Sequence, residues 1–357
     1  MRKLALLLVA AGLVAPPRAL AQDSVFNIEE LASGVYVALQ PTAGRFNDSN
    51  SVIILTEQEV IVVDSQANAD AVGEIVRWID EASRGPLRFL INTHWHSDHT
   101  QGNDIYRRVY PKDLTIIGHE SLVEDVPKRA GAHLEEQIEA LTQALPEAEA
   151  QLESGLGADG GEMSEEARAR LRIGIERARL RLERYRTTRL LPPDLTYRDR
   201  MVLRRPGRTL ELRHVRAHTR GDTVIYLPED RILITGDVLD DLPYGGHGYP
   251  GDWIRTLEEL ESLDFEIQVP GHGRVRHGKA HLRLVLRMFR SLAEQTRSAA
   301  KGGKSLEETQ AAVDLGEFRT LLAGDDATAQ RAFDAWMPET IARAYAEATG
   351  QPLDQEP

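Results

Sequence analysis

Apolar positions fall along this chain in two periods, and each period predicts its own kind of element. VYVAL (35–39), SVIIL (51–55) and EVIVV (59–63) are short runs rich in valine and isoleucine, and they predict strands. TEQE between the last two predicts a hairpin turn. Within 68–82, Val72, Ile75, Val76 and Ile79 recur at helical spacing. LRFLIN (87–92) and LTIIG (114–118) predict buried strands. Such strand–helix–strand alternation predicts an α/β layered fold.

The pattern changes at 120–190, which is charged, poor in strand formers and rich in Ala, Leu, Glu and Arg. Leu134, Ile138, Leu141 and Leu145 repeat at 4-3-4 spacing, as do Ala167, Leu171, Ile175, Ala178, Leu182 and Tyr185. The glycine-rich SGLGADGGEMS separates the two stripes. This predicts a helical hairpin inserted in the α/β domain, with its apolar stripes facing each other or the main body. Strand signals resume at LTYRDRMVL and RTLELRHV and continue through DTVIYLP and RILITGD, joined by a PED turn. A helix over 252–263 turns Trp253, Leu257, Leu260 and Leu263 inward, FEIQVPGHG reads as a strand ending in a loop, and the chain after about 278 is helical.

The N-terminus adds a targeting signal. A basic MRK, the apolar LALLLVAAGLVA and a small-residue ALA predict a secretory signal peptide over 1–21, cleaved before Gln22. The run is short for a bilayer span, and Pro16, Pro17 and Arg18 interrupt it. The expected organisation is a signal peptide (1–21), a catalytic domain (22–290) with the insertion at about 120–190, and a helical extension (291–357). The expected location is the periplasm or the exterior, with no stable membrane span after cleavage. Formal net charge is −13, which argues against a nucleic-acid partner. There is no cysteine, so neither disulfides nor thiolates enter the chemistry, and any metal is held by nitrogen and oxygen.

The chemistry concentrates in THWHSDH (93–99), where a predicted strand opens into a loop. His94 and His96 stand at i and i+2 of an extended backbone and can grip one ion. Asp98 and His99 follow on the turning chain and can reach a second. Imidazoles and a carboxylate suit zinc and tolerate manganese or iron. Three further candidates follow apolar β runs: His218 in RAHTRGDT, Asp237 at the end of RILITGD and His272 in VPGHG. Strand carboxyl ends form the binding edge of an α/β sheet. One ion then takes His94, His96 and His218, the other takes Asp98, His99 and His272, and Asp237 bridges them.

His94-x-His96-x-Asp98-His99, His218, Asp237 and Gly271-His272-Gly273, in this order, resemble the metallo-β-lactamase superfamily. The resemblance spans most of 30–280. It implies a four-layer αβ/βα sandwich with metals at one edge, and it gives Asp64 a supporting role behind the ligands. Aspartate at 237 resembles lactonases and generic hydrolases of the superfamily, since well-known secreted β-lactamases often have Cys or Ser there.

The function these features imply is an exported dinuclear zinc hydrolase. Two cations sharing a water make hydroxide available, which opens a small ester, lactone or lactam. Asp98 and Asp237 are the catalytic carboxylates, acting as ligands and orienters. In the loop DDLPYGGHGYPGDW (240–253), Tyr244, His247 and Tyr249 are candidate substrate contacts, with Trp95 as a pocket wall and Phe46 and Asn47 opposite. His119, His133, His277 and His281 are expected to be structural or surface residues. The expected partner is a small molecule, and the insertion is a candidate homo-oligomer contact. The alternatives are a non-catalytic accessory protein acting through its insertion, or a sulfatase or phosphodiesterase of the same fold.

Overall fold

The computed structural model describes residues 26–42, 45–83, 85–157 and 160–353. The expected signal segment, 1–21, lies outside them. By Cα packing the helical insertion, 127–190, forms one unit, and 26–126 with 191–353 form the body.

The body is built on two sheets. In the first, β1 (Asn27–Ala32), β2 (Val35–Leu39), β3 (Ser51–Leu55), β4 (Val60–Val63), β5 (Leu87–Ile91), β6 (Thr115–His119) and β7 (Leu195–Tyr197) lie side by side in chain order. Pairing is antiparallel from β1 to β4 and parallel from β4 to β7. The second sheet runs β13 (Arg276–His277), β12 (Ile267–Pro270), β11 (Ile232–Gly236), β10 (Asp222–Leu227), β9 (Arg208–Val215) and β8 (Arg200–Arg205). Its β11–β12 pair is parallel, and the rest are antiparallel.

Period-2 patterning explains the layers. Val35, Val37, Val52, Ile54, Ile61, Val63 and Ile91 on one inner face meet Leu210, Leu212, Ile225, Leu227, Ile232 and Ile234 on the other. The opposite face of the first sheet (Ile53, Val60, Val62, Leu90, Ile116) packs on Val72, Ile75 and Ile79 of α1 (Ala69–Ala82). The second sheet carries a larger outer core, with Trp253 and Leu257 of α7 (Pro250–Glu261), Val285, Phe289 and Leu292 of α8 (Ala280–Lys301), Phe318 of α10 (Gly316–Ala323) and Phe333, Met337 and Ile341 of α11 (Ala327–Ala348). The order is helix, sheet, sheet, helix, an αβ/βα sandwich. The C-terminal helices share its outer core. The remaining body helices are α2 (Ser97–Thr100), α3 (Asn103–Val109), α4 (Leu122–Asp125) and α9 (Leu306–Ala312).

Two details depart from the pattern reading. β1 has no clear apolar alternation because it is an edge strand whose side chains are mostly exposed. LTYRDRMVL is two strands, not one run. β7 joins the first sheet and β8 the second, so the chain changes sheets at Arg198–Asp199.

The insertion, described by itself, is two long antiparallel helices, α5 (Gly131–Ser154) and α6 (Glu165–Thr187). Leu145, Ile175, Ala178 and Leu182 are its buried core, flanked by Ile138, Leu141 and Leu171. Gly155 at φ +72° ends α5, and Ser164 caps α6 by accepting from the Ala167 amide. Among the described residues, no helix is long and apolar enough to cross a membrane.

Two predictions follow from this packing. Trp253 is fully buried, stacks on Phe289 at 4.3 Å and donates its indole N–H to Val238 O at 3.0 Å. Trp253→Ala is expected to lower unfolding free energy by about 3–5 kcal/mol, read from urea midpoints. The second prediction concerns acid. His119 of β6 stacks on His214 of β9 at 3.9 Å, across the two sheets. Burial, with His214 beside it, pushes His119 down to about 4. An unfolded histidine titrates near ~6.5, so between that pH and 4 the unfolded chain binds more protons and stability falls as pH falls. His119→Gln cannot take up that proton, so its urea midpoint should drop less than wild type between about pH 7.5 and 4.5.

Candidate metal centre

The carboxyl ends of β4, β5, β11 and β12 deliver residues to one edge of the sandwich. β5 ends at Ile91, and the chain bends over Thr93–His96. The bend brings the rings of His94 and His96 to 4.6 Å of one another. The one-turn helix α2 then bends Asp98 and His99 back, with the His99 amide donating to His96 O at 3.1 Å. β11 ends in Gly236 at φ +50°, followed by Asp237, and β12 ends two residues before His272.

Two groups of donors result. His94, His96, His218 and Asp237 bring one donor atom each within 4.8 Å of one another, and so do Asp98, His99 and His272. In the first group His96 Nδ1 is 3.0 Å from His218 Nε2, and Asp237 Oδ2 is 3.6 Å from His94 Nε2 and 3.5 Å from His218 Nε2. In the second, His272 Nε2 is 2.9 Å from Asp98 Oδ2, and His99 Nε2 is 3.6 Å from it. Asp237 reaches across, with Oδ1 3.1 Å from His99 Nε2 and Oδ2 3.6 Å from His272 Nε2. The seven residues singled out by spacing are thus brought together, in the grouping expected of them.

Each imidazole is held from behind. His94 Nδ1 lies 3.1 Å from Thr93 Oγ1, His99 Nδ1 2.8 Å from Asp64 Oδ2, His218 Nδ1 2.8 Å from Tyr244 O and His272 Nδ1 3.0 Å from Arg45 O. His96 Nε2 lies 2.9 Å from His247 Nδ1. Asp64 also accepts from the Thr93 amide and hydroxyl, both at 2.8 Å. It does so from the left-handed region, φ +63°, which a non-glycine residue occupies only when its surroundings enforce it. Buried Asp222 brackets His218, accepting from the amides of Ala217 and Thr219 on either side. Ser49 Oγ donates to Asp98 O at 2.7 Å, and Asn50 Nδ2 donates to Pro270 O and Gly273 O, tying down the loop of His272.

The electrostatics fit a cation. Burial pushes His94, His96 and His218 below the usual imidazole range, so the first group offers neutral nitrogens with free lone pairs. In the second group burial alone would do the same, but Asp237, Asp64 and Asp98 push His99 well up, and Asp237 and Asp98 bring His272 to about 10. The carboxylates there call for positive charge. His94 Nε2 is buried without a hydrogen-bond partner, and His99 Nε2 and Asp237 Oδ1 have only each other, at 3.1 Å. An unpaired buried polar atom is costly, and a cation bound in the cluster would satisfy His94 Nε2. Imidazole and carboxylate together suit zinc, with manganese and iron as alternatives.

Asp240 was not singled out by spacing. It forms a further close group with Asp237 and His272, and its Oδ1 accepts from the His272 amide at 2.8 Å. Burial, reinforced by Asp237, pushes it well above the usual carboxylate range. The only signal was its place three residues after Asp237 in GDVLDD.

The other predicted site residues separate. Trp95 is buried, 4.3 Å ring to ring from His96. Tyr244 stands 6.0 Å from His218 and gives its hydroxyl to Glu339 at 2.7 Å, and His247 meets His96. Tyr249 does something else. It is buried, with Arg216 over its ring at 3.9 Å and Arg343 at 5.3 Å, and its amide donates to Ala217 O. Half-buried Phe46 packs on Trp336 of α11 at 5.6 Å, and Tyr244 meets that same indole at 5.8 Å, while Asn47 is exposed. Trp336 had no local signal. His281 is buried with Nε2 2.7 Å from Asp240 O, and His133 and His277 are exposed.

A Cβ at Gly271 would sit 2.0 Å from Asp237 Oδ1 and 3.0 Å from His99 Cε1. Gly271→Ala therefore displaces the residue common to both groups. It is expected to lower cation affinity by roughly 10–100-fold, read by metal analysis after dialysis at fixed free zinc, with far-UV circular dichroism unchanged.

With the geometry in place, three comparisons bear on identity. A linear primary-alkylsulfatase of Pseudomonas sp. (strain ATCC 19151) is 23% identical over 250 residues, 67% of this chain and 44% of the relative. The chain therefore spans less than half of that relative's length. Among solved structures, the stereoselective inverting sec-alkylsulfatase Pisa1 of Pseudomonas sp. superposes with TM-score 0.63 at 16% identity, over 92% of this chain and 51% of that one. A metallo-β-lactamase from Pontibacter korlensis gives 0.51 at 15%, over 74% of this chain and 99% of that one. Likenesses of this degree concern the fold. The family is settled by the model of the metallo-β-lactamase superfamily, which matches residues 44–272, well over half of the sequence. The chain belongs to the metallo-β-lactamase superfamily of metal-dependent hydrolases.

Proposed function

We propose that the protein is an exported hydrolase that holds two divalent cations, zinc by its donor set, and opens an ester, lactone or lactam bond in a small molecule bearing an apolar group. The observation that carries this reading is the convergence of seven ligand-type side chains into two groups that share Asp237. Two cations so held supply Lewis-acid polarisation and a water that ionises near neutral pH. His94, His96 and His218 would hold one, Asp98, His99 and His272 the other. Asp98 Oδ2 already faces His272 Nε2, so this carboxylate serves as a ligand and not as a free general base. No thiol nucleophile competes, because the chain has no cysteine.

The residues beside the cluster favour an apolar substrate portion. Half-buried Tyr244 meets His218 on one side and Trp336 of α11 on the other, and Trp336 meets Phe46. Carboxylic esters, lactones and lactams meet this description. Alkyl sulfate esters are the second reading, favoured by the alkylsulfatase likeness, which extends over the C-terminal helices where the β-lactamase likeness covers less of the chain.

The test is parallel turnover of a chromogenic cephalosporin, an acyl lactone, a nitrophenyl ester and an alkyl sulfate by the zinc-loaded protein. Asp98→Ala should abolish turnover of whichever is cleaved, by more than the roughly 100-fold typical of losing an outer partner. An accessory protein acting through its insertion would show no turnover on any of them and keep its role in Asp98→Ala. Trp336→Ala is expected to raise KM for substrates with long apolar chains and leave short ones unchanged.

A further inference from the structure

Of the five clustered imidazoles, four hold their outward nitrogen against an oxygen: Thr93 Oγ1, Asp64 Oδ2, Tyr244 O and Arg45 O. His96 alone holds it against another imidazole, that of His247. His96 also differs in hand. It turns Nδ1 inward, 3.0 Å from His218 Nε2, whereas the other four face the cluster through Nε2.

A neutral imidazole has one N–H and one lone pair. For the Nδ1 lone pair of His96 to face a cation, its proton must sit on Nε2. The atom 2.9 Å from that proton is His247 Nδ1, which must then be an acceptor, with the proton of His247 on its own Nε2. We propose that His247 is a positioning residue of the first cation group: its Nδ1 accepts the Nε2–H of His96 and so fixes which nitrogen of His96 is presented inward. This rests on the reading of the cluster as a cation site, and it gives the side chain a task other than touching substrate.

His247 is held firmly enough to do this. Its ring lies 5.2 Å from Trp95 and 5.7 Å from Tyr244. Its loop is fastened to one face of α11. The Gly245 amide donates to Thr340 Oγ1 at 3.1 Å, Arg343 Nε donates to Gly248 O at 2.8 Å, and the Gly251 amide donates to Glu347 Oε2 at 2.8 Å. Residues 340, 343 and 347 are spaced by three and four positions, so a single helical stripe holds the loop. The same loop offers Tyr244 O to His218. Two of the three imidazoles in the first group are therefore set by a segment anchored to the C-terminal helix.

The experiment is a titration of chelator-stripped protein with Co2+, followed in the visible region, for wild type, His247→Phe and His247→Gln. Phenylalanine keeps the packing on Trp95 and cannot accept a proton. The glutamine amide oxygen can accept the His96 N–H. The expected result is a loss of about 10–100-fold in affinity at one of two Co2+ sites in His247→Phe, with an altered spectrum for that site, and recovery of most of it in His247→Gln. Wild-type affinity and spectrum in His247→Phe overturn the proposal. So does a raised KM with cation binding unchanged, which would make His247 a substrate contact. Equal loss in both variants also overturns it, by assigning the effect to shape. A wild-type protein that binds no Co2+ would instead sink the cation-site reading beneath it.

Discussion

One buried carboxylate governs the arrangement. Asp237 lies within 3.6 Å of four imidazoles, drawn from the segment after β5, α2, the loop after β9 and the loop after β12. Asp98 and Asp64 add two more acids to the same edge. Desolvated charge on this scale is costly unless compensated, and Asp237 Oδ1 has the His99 imidazole against it at 3.1 Å. The compensation must be positive charge held in the cluster. This constraint explains local choices that would otherwise be odd. Gly271 has no side chain because Asp237 occupies its place, position 236 is glycine because its φ is positive and a Cβ would meet Thr93, and Asp64 accepts strain to hold Thr93 and His99 at once.

The metal-facing atoms are only half of the device. Imidazoles rotate, and a ring presents the right nitrogen only if something fixes the other one. Here the fixing groups come from far along the chain: Arg45 before β3, Asp64 after β4, Tyr244 and His247 before α7. α11 reaches the centre through the loop it holds, and also through its N-cap Asp326, which pairs with Arg45. A helical segment that reads as an extension by sequence is therefore part of the positioning machinery, and its outer core around Phe333, Met337 and Ile341 stabilises more than itself.

What could be read from sequence and what could not divide along physical lines. The central strands β4, β10 and β11 are fully buried and rich in Val, Ile and Leu, so composition declares them. The seven donors stand at strand ends in a spacing that an extended backbone makes meaningful. β1 was silent because an edge strand with exposed side chains has no apolar period to show. The division of LTYRDRMVL between sheets was silent because strand propensity does not encode which sheet a strand joins. Trp336 and the true partner of His247 were silent for a third reason. They depend on long-range packing of α11, and a side chain contact between residues 96 and 247 leaves no trace in local pattern. Tyr249 misled because an aromatic in a glycine-rich loop looks the same whether it faces substrate or lies between two arginines.

The donor set itself decides little about substrate, because proteins named for alkyl sulfates and for β-lactams share this fold. Discrimination has to come from what stands beside the donors. In this chain that surface is aromatic, and it is assembled from half-buried Phe46, Tyr244 and Trp336, three segments with no sequence proximity. An apolar chain that covers about 100 Å² of such surface gains roughly 2.5 kcal/mol at 25 cal/mol per Å². That is a preference of about 70-fold over a compact polar substrate. Polar selectivity would need a fixed cation aimed at the substrate's charge. The arginines nearest this surface are already engaged, Arg45 with Asp326 and Phe46, Arg343 with the carbonyls of the loop it holds. Under the proposed reading, this aromatic wall would favour the apolar portion of a substrate, and the choice of bond would fall to the donor cluster.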